Sequence, residues 1–289
     1  MRWLKLAVVA LIVPCAVNAY EWTACIDPGH GQGTGTSCED ESFYEDDLSL
    51  EIGLRLYDLL TEEFGEGNVS ITRISPDEKP GLSVRAQIGQ GLQPDAYGNW
   101  VRGDTTKGTS HVDEFLSIHF DTWDSQLNGT QVYVYASGGY GRDNPKLDPA
   151  IDSSYAMSRD IVNCFVLVTG SRFRGDMCAW DRASARENGQ EWPLPPDGYE
   201  PPNDGIMGRS DIDVLKDSGW DGADEWKARC LLECEYMNSY FCNYLQVCKD
   251  WYTELAAEGI YHGLVLYRQK ADPGGMRRVV HIAGGGEKR

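Results

Sequence analysis

The sequence predicts an α/β fold built around a mixed, largely parallel sheet. Two observations carry that expectation. Short apolar runs alternate along the chain with segments of helical period, and no internal repeat replaces this alternation with a stacked array. A chain of 289 residues can form one large domain or two smaller ones, and either buries a substantial core.

The elements follow in order. Thr23 to Ile26 is a short apolar strand that runs into a Gly-rich loop from Asp27 to Thr36. From Glu45 to Phe64 the apolar residues Leu48, Ile52, Leu56, Leu59 and Leu60 recur on one helical face. Val69 to Ile74 and Glu114 to Ile118 are the next strands, with a helical Leu82 to Ile88 between them, and Gln131 to Ala136 alternates as a further strand. Asp152 to Val168 has helical spacing through Tyr155, Ile161, Phe165 and Val168. Cys230 to Glu233 reads as a short buried strand, and Ser239 to Ala257 as a helix with Phe241, Leu245, Cys248, Tyr252 and Leu255 on one side.

Two stretches break the rhythm. Gly91 to Val112 is a polar, Gly-containing insertion, and Arg174 to Gly208 carries Trp192-Pro193-Leu194-Pro195-Pro196 and Pro201-Pro202. Loops of that length are lids, binding loops or ordered surface segments. Lys270 to Arg289 reads as a polar tail.

Met1 to Ala19 joins Arg2 and Lys5 to the apolar run Leu6 to Val13 and closes on Val17-Asn18-Ala19, the pattern of a secretory signal peptide. The apolar run is too short to span a bilayer comfortably, so a secreted or periplasmic mature chain starting near Tyr20 is expected, without stable membrane insertion. Setting Cys15 aside leaves Cys25, Cys38, Cys164, Cys178, Cys230, Cys234, Cys242 and Cys248. An even count in an exported chain predicts that most or all are oxidised, with the pairing open. A formal net charge of -19, from 45 acidic against 26 basic residues, argues against a nucleic-acid surface. Asn68-Val69-Ser70 and Asn128-Gly129-Thr130 fit glycosylation acceptors only in a host that uses them.

The chemistry centres on Ile26-Asp27-Pro28-Gly29-His30-Gly31. Its glycines let the backbone turn tightly beside an imidazole at a strand end. His119 follows Phe115-Leu116-Ser117-Ile118 and occupies the equivalent place after a later strand. Ligands of open α/β sheets collect at the carboxyl ends of strands, so the two histidines are expected to converge. Glu45 opens the first helix close to the Gly-rich loop and is an oxygen ligand candidate; the alternative for it, with Asp46 and Asp47, is to complement the helix dipole. Two histidines and one carboxylate form a metal site with an open position for water. Glu233 closes the Leu231-Leu232 strand at the same sheet end, where a carboxylate can take a proton from water. Glu235 competes with it, because strand alternation puts both on one face.

Together, the His30 loop, Glu45-Asp46-Asp47-Leu48-Ser49-Leu50, Thr72-Arg73 with Leu82 and Arg85, Leu116-Ser117-Ile118-His119, and Leu231-Leu232-Glu233 resemble the zinc-dependent N-acetylmuramoyl-L-alanine amidases of the Amidase_3 type. The resemblance covers roughly residues 23 to 265 outside the insertions. It implies a single α/β domain after the signal peptide, one catalytic zinc held by His30, Glu45 and His119, and Glu233 as the catalytic carboxylate. It also implies peptidoglycan as substrate, cut at the amide between N-acetylmuramic acid and L-alanine, with the need for a protein activator left open.

There are departures from the family. Gln32 stands where a further Gly is frequent, and Asp121 where Asn is frequent. Cys234-Glu235-Tyr236-Met237-Asn238 replaces a Gly and an aromatic, and the eight cysteines are unusual. Some relatives carry a plugging helix in the interval of Arg174 to Gly208, which the prolines here disfavour. Two other readings stand beside the amidase. One is a non-catalytic wall-binding protein of the same fold, and the other is a zinc carboxypeptidase, which would need a clamp for the substrate carboxylate.

Overall fold

The computed structural model describes residues 22–89, 92–94, 100–102, 113–121, 129–135, 149–171, 206–209 and 228–271. The expected signal segment, most of 174–208, His111, Cys178, Asn128 and the tail beyond Ala271 lie outside them.

Strands β1 (Ala24–Pro28), β2 (Val69–Ile71), β5 (Glu114–Asp121), β6 (Gln131–Tyr135), β7 (Ile206–Arg209) and β8 (Ala228–Tyr236) form one six-stranded sheet in the order β2-β1-β5-β8-β6-β7. The first four are mutually parallel; β6 runs antiparallel to β8 and carries β7 parallel to itself. A mixed, largely parallel sheet was expected and is observed. Strands β3 (Leu92–Pro94) and β4 (Trp100–Arg102) pair antiparallel within the expected polar insertion, so part of that segment is a small sheet of its own.

Among the described residues four helices flank the sheet: α1 (Glu45–Phe64), α2 (Leu82–Gly89), α3 (Pro149–Thr169) and α4 (Ser239–Ala271). Strand alternation separates two faces. Ile26, Leu116, Ile118, Cys230, Leu232 and Cys234 enter the main core with Leu48, Ile52, Leu56 and Leu60 of α1, Ile161 and Phe165 of α3 and Ile260 and Leu264 of α4. The intervening residues Asp27 and Ser117 face the other way, toward α2, whose Arg85 they contact. The polar strand residues are therefore the ones that build the site.

Helix α4 extends well beyond the expected Ala257, and Lys270 and Ala271 of the expected tail are helical. Gly259 and Gly263 weaken the helical pattern in sequence, but α3 requires them. A Cβ on Gly263 would lie 2.3 Å from Ile161 Cα, and one on Gly259 would lie 2.8 Å from Phe165 Cα. Lys270 then donates to Asp160 at 2.6 Å. Strand β8 likewise exceeds the expected Cys230 to Glu233, because buried Arg229 and Glu235 extend it with charged residues.

The expectation that most or all eight cysteines are oxidised is corrected. Cys38 and Cys242 form a disulfide, whereas Cys25, Cys164, Cys230, Cys234 and Cys248 are free. Geometry explains part of this. Cys230 and Cys234 lie four strand residues apart, about 13 Å, beyond disulfide reach. They and Cys25 pack as small apolar groups, and burial pushes the thiols of Cys25 and Cys230 up to about 12. This disulfide ties the loop ahead of α1 to the first turn of α4, close to where Glu45 begins its helix.

Candidate metal centre

The site forms where β1 and β5 end and α1 begins. Strand β1 delivers His30, whose backbone sits in the left-handed region at φ 59°. A non-glycine residue held there is strained, and such strain clusters at functional sites. Gly29 just before it permits a close approach of β1 to β5, since a Cβ there would lie 2.6 Å from both His119 Cε1 and Ile118 O. Gly35, at φ 96°, passes beside Glu45, where a Cβ would stand 2.8 Å from Oε2.

Glu45 is the first residue of α1 and is buried, 3% exposed. Its carboxylate does not cap its own helix. Oε2 accepts from the Thr36 N–H at 2.8 Å, and Oε1 accepts from the Phe120 N–H at 3.0 Å. Oε1 also lies 2.9 Å from His30 Nε2 and 2.9 Å from His119 Nδ1. The two imidazoles meet edge to face with centroids 4.7 Å apart. The donor atoms of His30, Glu45 and His119 all lie within 4.8 Å of one another, the spacing of a group that could hold a metal ion.

The electrostatics suit that role. Burial works to raise the Glu45 pKa, but its hydrogen bonds and charge interactions with His119 and His30 hold it well below the usual carboxylate range. Burial pushes the His119 pKa down, against the pull of Glu45. An ionised Glu45 and a neutral His119 are the protonation states that metal ligation needs of these two groups.

Behind the cluster, Asp27 of β1 accepts from Thr72 Oγ1 at 2.7 Å, Arg85 Nε at 2.7 Å, Arg85 Nη2 at 2.5 Å and Ser117 Oγ at 2.6 Å. This fixes Arg85, whose Nη2 reaches within 3.3 Å of His119 Nε2. Burial opposes ionisation of Asp27, but the Arg85 charge and the three hydrogen-bonding side chains hold its pKa below the ordinary value. A depressed carboxyl contributes stability that is present above its unfolded pKa, near 3.9, and is lost as pH falls through the folded value. Asp27→Asn is therefore expected to lower unfolding free energy at pH 7 by about 3–5 kcal/mol, because it leaves Arg85 buried without its counter-charge. Denaturant titrations from pH 7 to pH 3 should show the gap closing as the wild type loses this contribution; equal stability at pH 7 would contradict the assignment.

Glu233 lies on β8 in register with His119 of β5 and Gln131 of β6, partly exposed. Residues in register on neighbouring strands project to the same face. Its competitor is engaged elsewhere: Glu235 accepts from the Gly129 N–H, and from Ser171 Oγ at 2.6 Å. The register between β5 and β8 shifts between His119 and Asp121, so that Asp121 pairs with Tyr236. That irregularity breaks the simple alternation that put Glu233 and Glu235 on one face. Asp121 accepts from Gln131 Nε2 at 2.8 Å. Asp46 accepts from the Gly33 N–H at 2.7 Å and so holds the Gly-rich loop. Of the other histidines, His262 is exposed on α4 beside Tyr261.

Comparison with known proteins bears on what this arrangement is. The sequence model of the Amidase_3 family, N-acetylmuramoyl-L-alanine amidase, matches residues 24–179, more than half of the chain. The chain belongs to that family. No curated protein matches it, whereas solved amidase structures share its fold. The catalytic domain of CwlV, an N-acetylmuramoyl-L-alanine amidase from Bacillus (Paenibacillus) polymyxa var. colistinus, is 18% identical with a TM-score of 0.54, covering 85% of this chain and 97% of that one. An N-acetylmuramoyl-L-alanine amidase from Clostridium difficile 630 is 19% identical with a TM-score of 0.54, covering 85% and 96%. The CwlD amidase from Clostridioides difficile, solved in complex with the GerS lipoprotein, is 21% identical with a TM-score of 0.51, covering 86% and 99%. In this Amidase_3 chain the single α/β domain is that of the amidase catalytic domains, and among the described residues no helix is long and apolar enough to cross a membrane.

Sequence reasoning quoted Thr72, Arg73 and Arg85 only as parts of a pattern and gave Asp27 no role. Their signal was polar side chains set directly beside apolar strands, which becomes legible once the sheet faces are known.

Proposed function

We propose that the chain is an exported zinc amidase that hydrolyses the amide between N-acetylmuramic acid and L-alanine in peptidoglycan. The observation that carries this reading is the His30, Glu45, His119 cluster, with donors within 4.8 Å of one another, in a chain of the amidase family. Nitrogen and carboxylate oxygen donors are a zinc set, and three protein ligands leave a position open. The chemistry the ion supplies there is Lewis acidity, which polarises the scissile carbonyl and acidifies water.

The chain's residues do the rest. Glu45 is held by two backbone N–H groups, so its carboxylate is fixed before the ligands assemble. Glu233 takes the proton from the attacking water and returns it to the L-alanine nitrogen as the C–N bond breaks. The products are the lactyl carboxylate and a free amine. Residues 1–19 serve as signal peptide, 20–289 form the catalytic domain, and 174–208 contribute a lid or substrate-contact loop. The complex of CwlD with GerS makes a protein activator a reasonable partner to look for.

Chelator-treated protein is expected to lose hydrolysis of purified peptidoglycan, and a stoichiometric addition of zinc to restore it. Full activity in metal-free protein, verified by elemental analysis, would contradict the reading.

A further inference from the structure

Arg73 leaves the end of β2 and is buried, 2% exposed. Among the described residues it forms no ion pair. It directs Nε and Nη2 at the backbone around two proposed ligands. Nε donates to Pro28 O at 3.2 Å, and Nη2 donates to Gly29 O at 2.8 Å, Asp46 O at 2.5 Å and Ser49 Oγ at 3.3 Å. Gly29 immediately precedes His30, and Asp46 immediately follows Glu45. Ser49 Oγ, from the same helix turn, donates to Gly29 O at 3.0 Å. One rigid guanidinium thus joins the loop that carries His30 to the helix start that carries Glu45.

We propose that Arg73 is a positioning residue that fixes the separation of His30 and Glu45 and so presets the metal site. A charged group that served fold stability alone would be expected to take a carboxylate partner once buried. This one takes carbonyls at two points flanking the ligands, which a planar fork can bridge and a point ammonium cannot. His30 sits at φ 59°, a conformation that persists only where its surroundings over-determine it, and Arg73 supplies that constraint through Pro28 and Gly29. The inference rests on the zinc reading above.

The test compares the wild type, Arg73→Met, Arg73→Lys and a remote control, Asp160→Asn, which removes the negative charge that pairs with Lys270 between α3 and α4. Two quantities are read on metal-free, folded protein well below each melting temperature. These are zinc affinity by chelator competition and amide hydrogen exchange at Gly29 to Gly31 and Glu45 to Ser49. Expected are a 10–100-fold loss of zinc affinity in Arg73→Met, a comparable loss in Arg73→Lys, whose ammonium cannot bridge both segments, and faster exchange confined to those two segments. Asp160→Asn should leave both unchanged. If Arg73→Met lowers the melting temperature but keeps wild-type affinity and local exchange, the positioning role is overturned. If the wild type binds no zinc, the metal reading fails, and the exchange result alone decides whether Arg73 holds the two segments.

Discussion

Glu233→Gln is expected to reduce turnover on peptidoglycan by about 10²–10⁴-fold, the range associated with loss of a positioned general acid–base, with zinc still bound. Gln preserves size and hydrogen-bonding shape but cannot accept and return a proton at neutral pH. The expectation rests on placement: Glu233 stands in register with His119 and is partly exposed, so it faces the site without belonging to the ligand cluster. Glu235 is a natural control, because its carboxylate is committed to Gly129 and Ser171. Its replacement by Gln should loosen the local packing more than the chemistry. Turnover and metal content measured together on both variants check the assignment. Wild-type turnover in Glu233→Gln would move the proton carrier elsewhere.

Glu45→Gln should have the largest effect on the metal. The carboxylate is the only charged donor of the three, and its Oε1 meets both imidazoles while each oxygen takes a backbone N–H. An amide keeps one acceptor and turns the other position into a donor, so one of those contacts becomes donor against donor. Loss of an outer partner of a ligand already costs 10–100-fold in affinity, so loss of a ligand itself should cost at least about 100-fold. The consequence is visible without turnover. Zinc at 100 times the wild-type dissociation constant should stabilise the native protein by about 2.7 kcal/mol, and the same zinc should barely shift Glu45→Gln. A wild-type-sized thermal shift in the variant would show that the ion sits elsewhere.

These expectations draw on features of unequal legibility. His30, Glu45 and His119 were readable because each stands at an element boundary that the hydrophobic pattern marks: a strand end, a helix start, a strand end. The carboxyl-end rule for α/β sheets then predicted that they meet, and they do. Helix α1 runs over Glu45–Phe64 as its apolar spacing required. The scaffold behind the ligands was not readable, because Asp27, Arg73 and Arg85 act through burial and through contacts spanning 24 to 90 residues of chain. Periodicity carries no information about such partners. The far part of α4 was hidden for a similar reason, since Gly259 and Gly263 break the helical pattern for the benefit of α3. Cysteine counting failed where it treated thiols as bridges, because Cys25, Cys230 and Cys234 serve the core as small apolar residues. The separation of Glu233 from Glu235 required the irregularity in β8, which strand alternation does not foresee.

The most direct test of the central claim is mass spectrometry of the products released from purified peptidoglycan by the zinc-loaded protein. The account predicts stem peptides with free L-alanine amino termini and glycan strands left intact, with neither appearing after chelation. Release of C-terminal residues from otherwise attached stems would identify a carboxypeptidase instead, and an unchanged substrate in the presence of bound zinc would identify a wall-binding protein; either result would contradict the amidase assignment.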